Sequence, residues 1–171
     1  MIELQQAVAK ALDASPGATT SQLALDLGVS EASVVAALPD NMSVPLDIDL
    51  LDELMAELPE WGPMTTIVFA GGSVFEFKCP FPKGKSAYGY YNLMGKHGFE
   101  GHLKLDNVGS IYLVSRAHRG AESHSFQFFT HRGELVFKLF LGRDKARKLL
   151  PEQLQRFAQY RSKAQPEKVE S

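Results

Sequence analysis

The chain has 171 residues, of which 44% are hydrophobic and 22% charged, and this composition is typical of a single globular domain and excludes a disordered chain. The net charge of −2 is unevenly distributed: residues 1–60 carry eleven acidic side chains and one basic, whereas residues 61–171 carry nine acidic and seventeen basic, so an anionic ligand should prefer the C-terminal two thirds. The N-terminus lacks an export signal, no apolar run is long enough to cross a bilayer, and the single cysteine, Cys79, excludes an internal disulfide; we therefore expect a cytoplasmic protein with no membrane partner.

The first 60 residues predict a helical part of the domain. Apolar side chains recur at helical spacing over residues 2–14, and Pro16 and Gly17 end that run. Two more short helices are expected at residues 21–28, which begins at the hydroxyls of Thr19, Thr20 and Ser21, and at residues 30–38, which begins at Ser30. A fourth amphipathic helix is expected over residues 47–58.

Residues 61–142 predict a β-sheet. Seven runs are rich in β-branched and aromatic residues, namely MTTIVFA, SVFEFK, YGYYNLMG, FEGHLKL, SIYLVS, HSFQFFT and LVFKLFLG. Their spacing predicts one large, mostly antiparallel meander, with tight turns at Gly71-Gly72 and Arg132-Gly133.

The C-terminal part predicts a helix over residues 143–162, interrupted by Pro151, and a flexible polar tail over residues 163–171. The fold class that follows is α+β. We expect a single domain over residues 1–165, in which short N-terminal helices precede the sheet and a helix closes the chain.

Residues 20–39 resemble a helix-turn-helix, because a glycine separates two short helical patterns. The segment carries Asp26 and Glu31 and no lysine or arginine. An element that reads DNA must neutralise several phosphates, so we expect a helical packing module and no nucleic-acid partner.

The five histidines show neither the spacing of a zinc peptidase nor a cysteine partner for structural zinc. The motifs of nucleophilic, phosphoryl-transfer and dinucleotide enzymes are also absent from the sequence, so no catalytic residue is assigned. His102 lies on the polar face of a predicted strand, next to Gly101, where a large flat ligand could approach. Imidazole is a common ligand of haem iron, but an exposed histidine is more often solvated.

Three segments together resemble the HutX/ChuX family of intracellular haem carriers: EWGPMTTIV at 60–68, GYYNLMGKHGFEGHLK at 89–104 and FKLFLGRDKARKLLPEQLQRF at 137–157. The resemblance extends over nearly the whole chain. It implies the fold of one half of the larger HemS/ChuS-type proteins and a homodimer of such halves. It also implies transient binding of b-type haem and its transfer to a haem-degrading partner.

The resemblance also implies particular site residues. His102, in GHLK, matches the family histidine implicated in haem binding and is the expected single protein ligand of the iron. The alternative ligand is the phenolate of Tyr90. A second family histidine would fall at Phe69, which cannot ligate iron and could instead stack on the porphyrin. Candidates to pair with the propionates are Lys104, Arg116 and Arg143.

Three functions follow as hypotheses. The first is a non-enzymatic carrier that delivers haem to a haem-degrading or haem-using protein. The second is a haem-degrading enzyme with one histidine ligand and an open distal position on the iron. The third, which the acidic N-terminal helices disfavour, is a DNA-binding regulator.

Overall fold

The computed structural model describes residues 2–164, and it opens with three helices, as the sequence predicts. These are α1 (Ile2–Ala14), α2 (Thr20–Leu27) and α3 (Glu31–Ala36). The Thr19 hydroxyl accepts a hydrogen bond from the Gln22 amide at 3.2 Å, and Gly28 ends α2 in the left-handed conformation. Caps of this kind satisfy the free amides and carbonyls at helix ends. They explain why the helix bounds were predictable.

The β-structure forms two antiparallel sheets rather than the single meander that the sequence predicts. The strands are β1 (Ser43–Leu46), β2 (Pro63–Ala70), β3 (Ser73–Pro80), β4 (Lys83–Ala87), β5 (Tyr90–Met94), β6 (Gly101–Leu103), β7 (Val108–Ser115), β8 (His124–Thr130) and β9 (Leu135–Phe140). The larger sheet has the order β1-β7-β8-β9-β2-β3, and the smaller has the order β4-β5-β6. The two predicted glycine turns are confirmed, with positive φ at Gly71, Gly72 and Gly133.

Apolar side chains on the larger sheet belong to two clusters. Phe126 and Phe128 of β8 belong to the main cluster, which also contains Trp61 and the aromatic side chains of the C-terminal helix. Phe129 of β8 belongs to a second cluster, formed with the N-terminal helices. Side chains of helices α1 to α3 therefore pack against the larger sheet.

Residues 48–61 are helical, with α4 (Leu51–Glu57) between two short 3-10 helices, Ile48–Leu50 and Leu58–Trp61. The C-terminal helix α5 (Pro151–Ala164) begins at Pro151 instead of being interrupted by it. Proline is well tolerated in the first turn of a helix, where its missing N–H would have no helical partner. Residues 143–150 are not helical, and residues 163 and 164 of the predicted tail belong to α5; the rest of that tail lies outside the described residues.

Gln153 of α5 joins distant parts of the chain through a buried amide. Its Oε1 accepts a hydrogen bond from the Gly142 amide at 2.7 Å. Its Nε2 donates to the carbonyls of Trp61 at 2.9 Å and Pro63 at 2.8 Å. The start of β2, the end of β9 and helix α5 are thereby held together.

The smaller sheet presents one face to the core and the other to solvent. Leu93 is buried in the main cluster, and the ring of Tyr91 packs against that cluster. Because side chains alternate across a strand, Tyr90 and Asn92 lie on the opposite face of β5. Asn92 pairs with His102 of β6, so these two side chains are neighbours on the outer face.

Candidate functional site

The outer face of the smaller sheet forms an open depression of about 490 Å³, lined by Tyr88, Tyr90, Asn92 and His102. The volume lies within the range of about 300–1,000 Å³ that is usual for small-molecule sites. Tyr88, Tyr90 and His102 are exposed, and Asn92 is half-buried. The depression therefore offers an imidazole and two phenols to a ligand from solvent.

His102 is held by its neighbours on β5. Its Nδ1 lies 2.6 Å from Oδ1 of Asn92. The ring of Tyr90 meets the imidazole edge-on, with 5.9 Å between ring centroids. The Lys104 ammonium lies 4.9 Å from the centroid of the Tyr90 ring and donates to the Gly89 carbonyl at 3.2 Å. The structure thus brings together three of the predicted site residues, His102, Tyr90 and Lys104.

A two-residue turn at Tyr88-Gly89 forms the edge of the depression. Both residues have positive φ, 55° at Tyr88 and 79° at Gly89, as a type I′ hairpin turn requires. A tyrosine rarely adopts this conformation, and here it leaves the Tyr88 side chain fully exposed. The sequence pattern assigned residues 88–95 to one strand, which is wrong at this turn.

Phe69 lies on the larger sheet and does not line the depression. It stands near the end of β2, paired with Val74 across the β2-β3 hairpin. Its ring is about half exposed, and the Lys138 ammonium lies 5.6 Å from the ring centroid. Phe69 therefore provides an exposed aromatic surface on a different sheet from His102.

Arg116 and Arg143 are also away from the depression, and each donates to main-chain carbonyls. Arg116 Nη2 donates to Pro16 at 3.2 Å and to Ala18 at 2.9 Å. Burial lowers the pKa of this guanidinium. Arg143 donates to the Glu122 carbonyl. Both guanidinium groups therefore stabilise loop conformations, at residues 16–18 and at Glu122.

The segment that resembles a helix-turn-helix is packed on the larger sheet. Ala32, Val34 and Val35 of α3 are buried. The Glu31 carboxylate accepts hydrogen bonds from Thr20 Oγ1 at 2.7 Å and from Lys138 Nζ at 3.0 Å. The helix that would read DNA in such a motif therefore uses much of its surface for packing.

Among residues 2–164, no group of three or more histidine, cysteine, aspartate or glutamate side chains is arranged to hold a metal ion. In the same part of the chain, no helix has the length and apolar character needed to cross a membrane.

Comparison with known proteins identifies the family. The model of the haem utilisation ChuX/HutX family matches residues 44–160. The chain belongs to the ChuX/HutX family. The match runs from β1 into α5 and includes the whole depression, whereas helices α1 to α3 lie outside it.

Individual relatives agree with this assignment. The intracellular heme transport protein HutX of Vibrio cholerae is 50% identical over 158 residues, which cover 92% of this chain and 82% of that protein. A solved structure of the heme-binding protein ChuX is 33% identical and has a TM-score of 0.81, covering 93% of this chain and 97% of that chain. Sequence and fold therefore agree over nearly the whole length.

The heme-degrading enzyme ChuS of Escherichia coli O157:H7 shares the fold. Its structure has a TM-score of 0.68 at 14% identity, and the alignment covers 81% of this chain but 41% of ChuS. This chain thus has the fold of a part of ChuS, as the family resemblance implied. At this identity the likeness concerns the fold alone.

Proposed function

We propose that this chain is a cytoplasmic carrier that binds haem transiently on the outer face of the smaller sheet and delivers it to another protein. Membership of the ChuX/HutX family and the 50% identity to a heme transport protein support this function. The main support for placing the haem site on this face is the exposed pair of Tyr90 and His102, whose ring centroids are 5.9 Å apart. Imidazole and phenolate are both established ligands of haem iron.

The surroundings of the pair fit a haem. His102 is the ligand we favour, and Tyr90 is the alternative. The porphyrin can lie against the exposed aromatic ring of Tyr88. Lys104 can pair with a propionate, because its ammonium lies over the Tyr90 ring, 4.9 Å from the ring centroid. An open site with one protein ligand favours release, which a carrier requires.

We further propose that the chain does not itself degrade haem. The transport role of the Vibrio cholerae HutX supports this reading, whereas the likeness to the ChuS enzyme concerns the fold alone. The recipient that we propose is a haem-degrading or haem-using protein. Under turnover conditions, a carrier returns its haem intact, whereas an enzyme produces ring-opened products.

Two-fold pairing of the chain is also proposed. Strand β3 is the last strand of the larger sheet, and it carries exposed Val74 and Phe75 beside Phe69. Edge strands with exposed apolar side chains are suited to pairing with a second copy. Phe69 as a stacking residue and Arg116 and Arg143 as propionate partners remain predictions from the sequence.

The experiment is a haemin titration followed by Soret absorbance, with the wild type, His102→Ala and Tyr90→Phe. We expect saturation at about one haem per chain in the wild type. If His102 is the ligand, His102→Ala weakens binding at least about tenfold, equivalent to about 1.4 kcal/mol, and changes the ferric spectrum. Tyr90→Phe keeps the imidazole spectrum in that case.

The matched control is His118→Ala, which removes an exposed histidine from a loop that does not line the depression. It should bind haemin as the wild type does. Subsequent addition of apomyoglobin tests release, and addition of ascorbate in air tests degradation. Absence of saturable binding by the wild type refutes the function, and loss of the Soret band with ring-opened products refutes the assignment as a carrier alone.

A further inference from the structure

The side-chain amide of Asn92 has a fixed orientation. Its Nδ2 lies 3.1 Å from the carbonyl oxygen of Lys85, 3.1 Å from that of Ala87 and 3.3 Å from that of Tyr90. Carbonyl oxygens only accept hydrogen bonds, so the amide nitrogen must face them. With its nitrogen turned towards the β4-β5 hairpin, Asn92 must direct Oδ1 the other way, towards β6.

That orientation determines the protonation pattern of the imidazole of His102. Oδ1 of Asn92 lies 2.6 Å from Nδ1 of His102, and an amide oxygen only accepts. Nδ1 must therefore carry the proton and donate it. In a neutral imidazole this leaves the lone pair on Nε2, and within residues 2–164 no hydrogen-bond partner occupies that nitrogen.

We propose that Asn92 is a positioning residue for iron ligation by His102, because it holds the imidazole in the tautomer that offers Nε2 to the metal. The inference rests on the proposed function. Histidine ligands generally donate their second ring nitrogen to an acceptor that fixes the tautomer and the ring orientation. Asn92 supplies that acceptor before any ligand arrives.

The strand register makes this possible. Asn92 lies on β5, the middle strand of the smaller sheet. Its cross-strand partner on β4 is Lys85, and its cross-strand partner on β6 is His102. The same amide that ties the Tyr88-Gly89 hairpin therefore orients the histidine. A neutral amide also gives the imidazole less electron density than a carboxylate would, which suits a site that must release its cargo.

The first test uses the wild-type protein without haem. Nitrogen-15 NMR of labelled histidine, recorded at about pH 8.5, where an ordinary imidazole is neutral, distinguishes the two tautomers. We expect His102, assigned by comparison with His102→Ala, to be in the form with the proton on Nδ1. A predominant Nε2–H tautomer overturns the inference whatever the protein binds.

The second test compares haemin binding by Asn92→Ala and Lys85→Ala. We expect Asn92→Ala to lose about 10- to 100-fold in affinity, the usual effect of removing such a partner, and to show mixed His102 tautomers. Lys85→Ala keeps the main-chain acceptor and should bind within about twofold of the wild type. Circular dichroism checks that both variants keep the secondary structure of the wild type. The NMR result for the wild type does not depend on either variant.

The outcomes separate the inference from the proposed function. Wild-type binding that depends on His102 but not on Asn92 overturns the positioning role and leaves the carrier function intact. If haem binds through Tyr90 alone, neither His102→Ala nor Asn92→Ala weakens it, and the positioning role is again refuted. A wild type with the expected tautomer but without saturable haemin binding refutes the function, although Asn92 still orients His102.

Discussion

Replacing Gln153 with leucine tests how strongly one buried amide stabilises the fold. The Gln153 side chain is 1% exposed. It accepts from the Gly142 amide at 2.7 Å and donates to Trp61 and Pro63 at 2.9 and 2.8 Å. Leucine keeps a similar volume but can neither accept nor donate. One buried N–H and two carbonyls then lose their partner.

The expected loss follows from those three groups. Each buried polar group left without a partner costs about 1–3 kcal/mol, and the greater hydrophobicity of leucine offsets part of the total. We expect Gln153→Leu to lower the free energy of unfolding by about 3–6 kcal/mol. Since domains of this size are stable by about 5–15 kcal/mol, much of the stability would be lost.

Urea denaturation followed by fluorescence measures the change. The single tryptophan, Trp61, is buried and lies 5.6 Å from the ring of Phe126, so it reports on opening of the main core. The control is Gln155→Leu, at an exposed position of the same helix, which should change the stability by no more than about 0.5 kcal/mol. A Gln153→Leu variant within 1 kcal/mol of the wild type would refute the reasoning.

Two further predictions concern the N-terminal helices and the sheet edge. Glu31→Gln should lower the free energy of unfolding by about 2–4 kcal/mol, measured by thermal denaturation, because it leaves the largely buried Lys138 ammonium without its partner carboxylate at 3.0 Å. The double variant Glu31→Gln with Lys138→Met should recover part of that loss. No recovery would contradict an ion-pair effect. Phe75→Glu should turn the proposed dimer into a monomer by light scattering at micromolar concentration, because it places a charge on the exposed edge strand β3. A wild type that is already monomeric would contradict the dimer itself.

The helices were predictable because their signals are local. Thr19, Ser30 and Gly28 cap α2 and α3 with contacts to residues three or four positions away. Two strands were missed for an equally local reason. β1 has only four residues and contains Pro45, and β4 has the polar sequence KGKSA, so neither shows the β-branched and aromatic pattern of the other strands.

The division into two sheets could not be predicted from local patterns. Consecutive strands β3 and β4 are in different sheets, and β2 pairs with β9, about 70 residues further along the chain. In the structure the break falls at Pro80-Phe81-Pro82, where Phe81 is buried. Proline has no N–H for a strand ladder, so this short segment ends β3 and turns the chain into the second sheet.

The candidate site was predictable in part. The resemblance identified His102, Tyr90 and Lys104, which the structure brings together. The sequence alone does not point to Asn92, because the role proposed for it depends on the register that places it opposite His102. The charge of Arg116 favours a propionate partner, but its guanidinium donates to the carbonyls of Pro16 and Ala18, which lie about 100 positions earlier in the sequence.

The three segments that carry the family resemblance have different physical roles. EWGPMTTIV supplies the Trp61 and Pro63 carbonyls, and FKLFLGRDKARKLLPEQLQRF supplies both Gly142 and Gln153, so these two segments meet at one buried amide. Gly142 also packs against the Pro63 carbonyl so closely that a Cβ would clash with it. Only GYYNLMGKHGFEGHLK contributes to the depression. Conservative changes on its outer face should therefore alter binding of the proposed ligand with little effect on folding, whereas changes at the Gln153 contact should unfold the protein before they affect that binding.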